Sequence, residues 1–329
     1  MAFLDETLVV GISTRALFDL EEENRIFQER GVSEYRKFQR ENEQNILGKG
    51  TAFHLVEALL NLNHLVSKDR LVEVIVMSRN SPEAGIRVLN SIQHYNLDIT
   101  RSAFTGGEPL ATYMDAFSVD LFLSRDEKDV QDVIDSGKVS AALILDRPEN
   151  FKPDEKSVRI AFDADAVLFS EASEYIYKTE GLAAFQKNES VNVNVPLDDG
   201  PHSRFLRVLA RIQKKILESV SQSPLKIAIV TARNSPAHMR ILNTLRNWDV
   251  YIDEAFFLGG VSKDKILQAF KAHIFFDDQE THLKLAATLV PSGRVPYKSD
   301  SKLNDIDKNS IRLDDRIAAL RKLQQRKTD

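Results

Sequence analysis

The stretch Val158-Arg159-Ile160-Ala161-Phe162-Asp163-Ala164-Asp165-Ala166-Val167-Leu168-Phe169 opens as a short apolar run and reads as a buried strand. Two carboxylates, Asp163 and Asp165, stand where that strand ends. In open α/β sheets the carboxyl end of a strand is where ligands collect. On a fully extended backbone both side chains would share one side, but the chain turns here. One carboxylate can therefore face a bound group while the other stands beside it. Taken alone, such a pair suits a solvated turn as well as a catalytic one, and the rest of the chain has to decide.

A chain of 329 residues has room for two ordinary domains with substantial cores. Hydrophobic residues at 43% and charged residues at 28% place it among soluble globular proteins. A net charge of -5 offers no global attraction to nucleic acid or anionic membrane, so a phosphate site would have to be local. The absence of cysteine excludes disulfides, thiolate metal sites and a cysteine nucleophile. No basic leader with a cleavable apolar core opens the chain, and no run approaches a membrane span. The expectation is a cytoplasmic protein with neither membrane nor nucleic-acid partner.

Outward from the opening stretch, strands and helices alternate. Before it, strands are predicted at residues 8–13, 72–77, 103–104, 121–123 and 141–145, with helices at 21–30, 33–43, 52–65, 82–94 and from 127. Residues 147–156 are polar and carry Pro148 and Pro153, the best domain boundary in the chain. Beyond it, helices are predicted at 171–181, 182–188, 203–219, 236–248 and 263–272. Strands follow at 227–230, 255–258 and 274–276.

The halves agree in words as well as in order. Ser78-Arg79-Asn80-Ser81-Pro82 faces Ala232-Arg233-Asn234-Ser235-Pro236 at an offset of 154 (232 − 78). Ile86-Arg87-Val88-Leu89-Asn90 faces Met239-Arg240-Ile241-Leu242-Asn243, and Gly106-Gly107 faces Gly259-Gly260, both at 153 (239 − 86 and 259 − 106). This recurrence predicts two related α/β units, each a mostly parallel sheet covered by helices. Where the second copy has Asp277-Asp278 the first has Ser124-Arg125, and where the second has Lys263 the first has Leu110. Opposite Asp163 and Asp165 the first copy offers Ser13-Thr14 and no acid. A fold that manages without those charges in one copy does not need them in the other. The site is therefore expected in the second half.

Strand ends and one helix start there deliver Asp163, Asp165, Thr231, Lys263, Asp277 and Asp278. Carboxylates brought together repel unless a cation sits among them, and oxygen-only ligands suit Mg²⁺. Lysine and a small hydroxyl at a strand–helix junction are phosphate ligands by type. A phosphate monoester fits this group, because a divalent ion offsets the charge on ester and nucleophile alike.

The order Asp-x-Asp, strand-end Thr, downstream Lys and final Asp-Asp resembles the haloacid dehalogenase superfamily of phosphohydrolases. More narrowly, Ala161-Phe162-Asp163-Ala164-Asp165-Ala166-Val167-Leu168-Phe169-Ser170, Val230-Thr231-Ala232-Arg233 and His273-Ile274-Phe275-Phe276-Asp277-Asp278-Gln279 closely resemble the cytosolic 5′-nucleotidase type I family. Ser13-Thr14-Arg15-Ala16-Leu17-Phe18, Asn90-Ser91-Ile92-Gln93-His94-Tyr95 and Phe104-Thr105-Gly106-Gly107 extend the likeness into the first half. Ala166-Val167 stands where the wider superfamily has Gly-Thr, a departure that the narrower family shares. The resemblance implies two haloacid-dehalogenase-like (Rossmannoid) units: a degenerate one at 1–150 and a catalytic one at 151–297. It also implies a helical cap at about 170–223, and 298–329 is read as a charged tail with an amphipathic stretch at 311–323. It implies Mg²⁺-dependent hydrolysis of nucleoside 5′-monophosphates, AMP prominent among them, with Asp163 as nucleophile and Asp165 as acid and base. Thr231 and Lys263 would hold phosphate oxygens, while Asp163, the Asp165 carbonyl and one of Asp277 or Asp278 would ligate Mg²⁺.

Arg233, Asn234, Phe169 and Tyr175 are the candidates for contact with the rest of the substrate, by phosphate or sugar bonding and by base stacking. The scattered histidines show no ligand spacing and read as packing or surface residues. The acid-free half reads as scaffold or oligomer contact, a homo-oligomer being expected, or as a second site for a nucleotide effector. Three rivals keep a place: another small phosphate ester as substrate, a phosphotransferase, and a nucleotide sensor without turnover.

Overall fold

The computed structural model describes residues 6–66 and 70–306. The first half runs β1 (Leu8–Ile12), α1 (Thr14–Leu17), β2 (Phe18–Asp19), α2 (Glu21–Glu41), β3 (Gly48–Lys49), α3 (Phe53–Asn61), β4 (Val72–Ser78), α4 (Ile86–His94), β5 (Arg101–Phe104), β6 (Leu121–Ser124), α5 (Glu127–Ser136) and β7 (Ser140–Ile144). The second runs β8 (Val158–Phe162), α6 (Ala172–Glu180), α7 (Leu182–Val191), α8 (Ser203–Leu217), β9 (Leu225–Thr231), α9 (His238–Asn247), β10 (Glu254–Phe257), α10 (Asp264–Phe270), β11 (Ile274–Asp277), α11 (Glu280–Ala286) and β12 (Ser292–Arg294). Residues 145–157 carry neither helix nor strand, and the amphipathic stretch 311–323 lies outside the described residues.

Ten strands form one sheet in the order β10-β9-β8-β11-β12-β7-β6-β1-β4-β5, while β2 and β3 pair as a short antiparallel ribbon. Every pairing in the large sheet is parallel except one. That one, β7 with β12, sets Ile144 opposite Gly293 and Leu143 opposite Arg294 in antiparallel register. The mostly parallel α/β architecture is as expected, but the separate sheet expected for each half is corrected to a single continuous one. A parallel half-sheet ends in an open edge, and the β7 and β12 edges cover each other. The order β5-β4-β1-β6-β7 in the first half recurs as β10-β9-β8-β11-β12 in the second.

Central parallel strands are covered on both faces, so they read as near-continuous apolar runs. Leu-Val-Val-Gly-Ile of β1 is buried throughout, as are all but Lys226 of β9 and all but Arg159 of β8. One apolar core extends under both halves and takes Ile160, Phe162, Ile274 and Phe276 from the second. Their alternates Ala161 and Phe275 face a smaller core with Leu267 and Phe270, as the two-residue period of a strand requires.

The stretch 170–223, expected as one cap, divides in two. Helix α8 buries Phe205, Leu206, Leu209, Ile212 and Ile216 in the main core. Its amphipathic face makes it a covering helix of the sheet. That leaves α6 and α7, which meet at Gly181 (φ 87°), just as α2 kinks at Gly31 (φ 79°). Both positions need a residue without a Cβ penalty in the left-handed region. Gly200 is required for a different reason: a Cβ there would stand 2.4 Å from the Phe169 carbonyl oxygen.

Candidate active site

The order β9-β8-β11 sets the ends of three neighbouring strands side by side, and with them Thr231, Asp163 and Asp277. The Asp163 amide donates to the Phe276 carbonyl (2.8 Å), which fixes one acid beside the other. Lys263, at the start of α10, donates from Nζ to Asp277 Oδ2 (2.7 Å) and lies 3.0 Å from Asp163 Oδ1. All three side chains are buried. Beyond Asp163 the backbone makes a tight turn over Ala164–Leu168 in which Ala166 takes φ 56°. A residue with a Cβ pays about 1 kcal/mol for that conformation. The turn delivers the Asp165 carboxylate to Arg233, which donates to it from Nε (2.7 Å) and Nη2 (2.6 Å).

Burial dominates the electrostatics. It pushes the Asp163 carboxyl up to about 6: Lys263 opposes it, and the neighbouring Asp277 and Asp165 charges reinforce it. Burial, Asp277 and Asp163 likewise drive Asp278 well above the carboxylate range. For Asp277 burial is overcome by Lys263 and His282, which hold the carboxyl below its usual value. Burial and the Asp165 charge raise Glu174 on α6 to about 7. One strand-end cluster thus holds carboxyls driven in opposite directions, a pattern that accompanies acid–base and metal chemistry.

Not every candidate is free to meet a ligand. Thr231 is buried at the end of β9, and its Oγ1 accepts from the Arg233 amide (3.2 Å). Arg233, a candidate substrate contact, is buried and donates to Asp165 and, through Nη1, to Glu189 of α7. Phe169, expected as a stacking ring, is fully buried with its centroid 5.3 Å from that of Trp248. Its preceding turn folds it inward, which makes it a core residue. Tyr175 is half-buried, with Lys302 Nζ 5.9 Å from its ring centre. Asn234 is exposed and lies against Gly259. Asp278 turns toward Tyr297, whose hydroxyl donates to Oδ2.

Several participants were given no role by the sequence, although Gln279 closes the motif that begins at His273. His282 Nδ1 lies 3.3 Å from Asp277 Oδ2. Gln279 donates its amide to Asp277 Oδ1 (2.8 Å) and its side-chain Nε2 to Glu174 (3.1 Å). Glu189 is wholly buried.

Asp163, Asp277 and His282 each offer a donor atom, and those atoms lie within 4.8 Å of one another. Among the described residues, Asp163 Oδ1 makes no aligned hydrogen bond despite the nearby ammonium, and buried Asp278 Oδ1 has no donor. Buried anionic oxygens short of donors suit a bound cation, and a set dominated by carboxylates suits a hard one.

A family model described as 5′-nucleotidase matches residues 1–302. The chain is 35% identical over 290 residues to human (Homo sapiens) cytosolic 5′-nucleotidase 1B, a match covering 86% of this chain and 47% of that protein. The chain thus spans about half the length of this relative. Among solved structures, a chain of one titled "Structure of Pnkp1/Rnl/Hen1 complex" aligns at 12% identity over 89% of this chain and 97% of that one. Its TM-score of 0.30 is too low to carry any argument.

Proposed function

The chain belongs to the 5′-nucleotidase family, and on that premise we propose that it hydrolyses nucleoside 5′-monophosphates, AMP among them, with Mg²⁺ as cofactor. The observation that carries the proposal is that Lys263 Nζ lies within 3.0 Å of both Asp163 and Asp277, which stand at adjacent strand ends. The acid-free copy of the same strand order has nothing of the kind at Ser13, Ser124 and Leu110.

Asp163 is the nucleophile in this reading. Its carboxylate oxygen bonds to phosphorus in line with the ester oxygen, the ester bond breaks, and an aspartyl phosphate forms. Asp165, both of whose oxygens accept from Arg233, frees one of them to carry the proton that it gives to the departing 5′-oxygen. As a carboxylate it then takes a proton from the water that attacks the phosphoryl group, which restores Asp163 and releases phosphate. Lys263 exchanges a carboxylate contact for a phosphate oxygen, and Thr231 Oγ1 lies at the neighbouring strand end to donate a second bond. Asp163, the Asp165 carbonyl and Asp277 would hold Mg²⁺, with His282 orienting Asp277 and Asp278 beside them. The ion supplies the positive charge that lets a carboxylate approach a phosphate dianion.

In the same reading residues 151–297 form a haloacid-dehalogenase-like catalytic unit, with α6 and α7 as its cap, and residues 1–150 form a degenerate relative. The test is phosphate release from AMP and from a panel of sugar phosphates, with and without Mg²⁺, by wild type and Asp163→Asn. Mg²⁺-dependent release from AMP that falls at least about 1000-fold in the variant is expected, since the nucleophile is lost. Activity in Asp163→Asn within tenfold of wild type refutes the assignment.

A further inference from the structure

Glu189 belongs to no motif, yet it is wholly buried among charges. Arg233 Nη1, Arg240 Nη1 (3.0 Å), Ser173 Oγ (2.9 Å) and Asn188 Nδ2 (3.1 Å) all donate to it. Arg233, held at one end by Glu189, spends its other two guanidinium nitrogens on Asp165. We propose that Glu189 is the positioning residue for Asp165: through Arg233 it sets the orientation of the carboxyl that serves the leaving group. The inference rests on the catalytic reading above.

Stability is a poor explanation for the arrangement. Taking charges out of water cancels most of their attraction, and well-packed apolar replacements do as well or better. The duplicated half makes the same point from within the molecule. Gln39 and Glu189 each stand eight residues beyond the kink glycine, Gly31 or Gly181. Gln39 is buried too, but it is neutral and donates to Tyr35 Oη (3.0 Å). Arg79, the counterpart of Arg233, pairs with Asp129 of α5 instead. A buried helix pair of this shape therefore folds with an amide where Glu189 stands, in the half that has no acid to orient. The first half does bury a carboxylate in that helix pair, Glu23, but it pairs with Arg87, the counterpart of Arg240, and not with Arg79. What the second half adds is the arginine bridge from α7 to the Asp165 carboxyl.

The geometry also has a mechanical consequence. Asp165 follows a strand of the sheet, whereas Glu189 lies on α7, so one guanidinium ties the placement of α7 to the aim of Asp165. A bidentate arginine–carboxylate pair fixes a plane as well as a distance. Freed from Glu189, Arg233 can rotate and take the Asp165 carboxyl with it. Displacement of about 1 Å in a reacting group costs on the order of 100-fold in rate.

Single-turnover kinetics on the full chain with Mg²⁺ test this with two esters. AMP needs its leaving oxygen protonated, whereas p-nitrophenyl phosphate releases a stable phenolate without help. Glu189→Gln is expected to slow nucleoside formation about 10- to 100-fold while KM stays within about twofold, and to leave the p-nitrophenol burst rate unchanged. Arg233→Lys, which keeps the charge but cannot bridge two carboxylates, is expected to show the same ester-selective loss and serves if Glu189→Gln folds poorly. Equal slowing of both esters, or of neither, overturns the positioning role. Asp163→Asn runs alongside: if it retains turnover, the catalytic reading fails, and this inference with it. Loss of both esters in Asp163→Asn alone, with Glu189→Gln like wild type, removes only the inference.

Discussion

His202 offers a test of how the site's floor is held. Its ring is fully buried, neither nitrogen has a hydrogen-bond partner, and it packs 4.8 Å from Phe276 with Phe162 and Phe205 close by. Burial alone pulls its pKa from 6.5 to about 3. The folded state therefore refuses a proton that the unfolded state accepts. The stability tied to the neutral ring is complete above the unfolded pKa and drains away as pH falls from about 6.5 toward 3. At one proton and 1.36 kcal/mol per unit, the loss between about pH 7.5 and pH 5 is ~2 kcal/mol. That figure depends almost entirely on the unfolded pKa, because at pH 5 the folded ring is still neutral. His202→Leu removes the titrating group at similar volume. Urea unfolding at the two pH values should show wild type losing ~2 kcal/mol more than the variant. Phe276, against which the ring packs, carries the carbonyl that anchors Asp163, so wild-type activity should fail first on the same acid limb. Equal pH dependence in the two proteins would refute the reasoning, since only an imidazole already solvated or hydrogen-bonded when folded could behave that way.

Three further outcomes follow from the same coordinates. Asp278→Asn removes a buried carboxyl crowded by Asp277 and Asp163, so without metal at about pH 7.5 it should melt several degrees above wild type while losing activity, as seen by calorimetry and phosphate release. Millimolar Mg²⁺ should raise the melting temperature of wild type but not of Asp277→Ala, because only an ion bound to the folded state stabilises it. Gly200→Ala should cost more than about 3 kcal/mol, since the added methyl meets a backbone carbonyl that has no room to move. Gly31→Ala, where nothing lies within 4 Å, should cost only the ~1–3 kcal/mol of holding a Cβ residue at φ 79° and ψ −177°. Chemical denaturation of the pair separates clash from conformational strain.

Much of the architecture was legible because its signals are local. The apolar runs at β4, β8 and β9 fall within two residues of their predicted ends, since a strand buried on both faces has no polar positions to blur it. The break at Gly31 was equally plain. The single sheet was not, because the pairing that makes it uses β12, three residues of Ser-Gly-Arg with no apolar pattern to mark a strand. The family was read from the ordered motifs around Asp163, Thr231 and Asp277, and the match over residues 1–302 bears that reading out. The sequence left Arg233 and Phe169 open between a ligand contact and a packing role for one reason. Their types suit a ligand, but only the folded chain shows that one is consumed by two carboxylates and the other by a tryptophan.

By itself the sequence determined the alternation of strands and helices, the recurrence of its motifs, and where along the chain the acids lie, because each depends on residue type and spacing along one chain. Tertiary structure alone decided that the halves share a sheet, that Lys263 reaches Asp163 and Asp277 together, and that Glu189 addresses Asp165 through Arg233. Those contacts join residues tens of positions apart, and a charge's partner is set by where the backbone brings it in space.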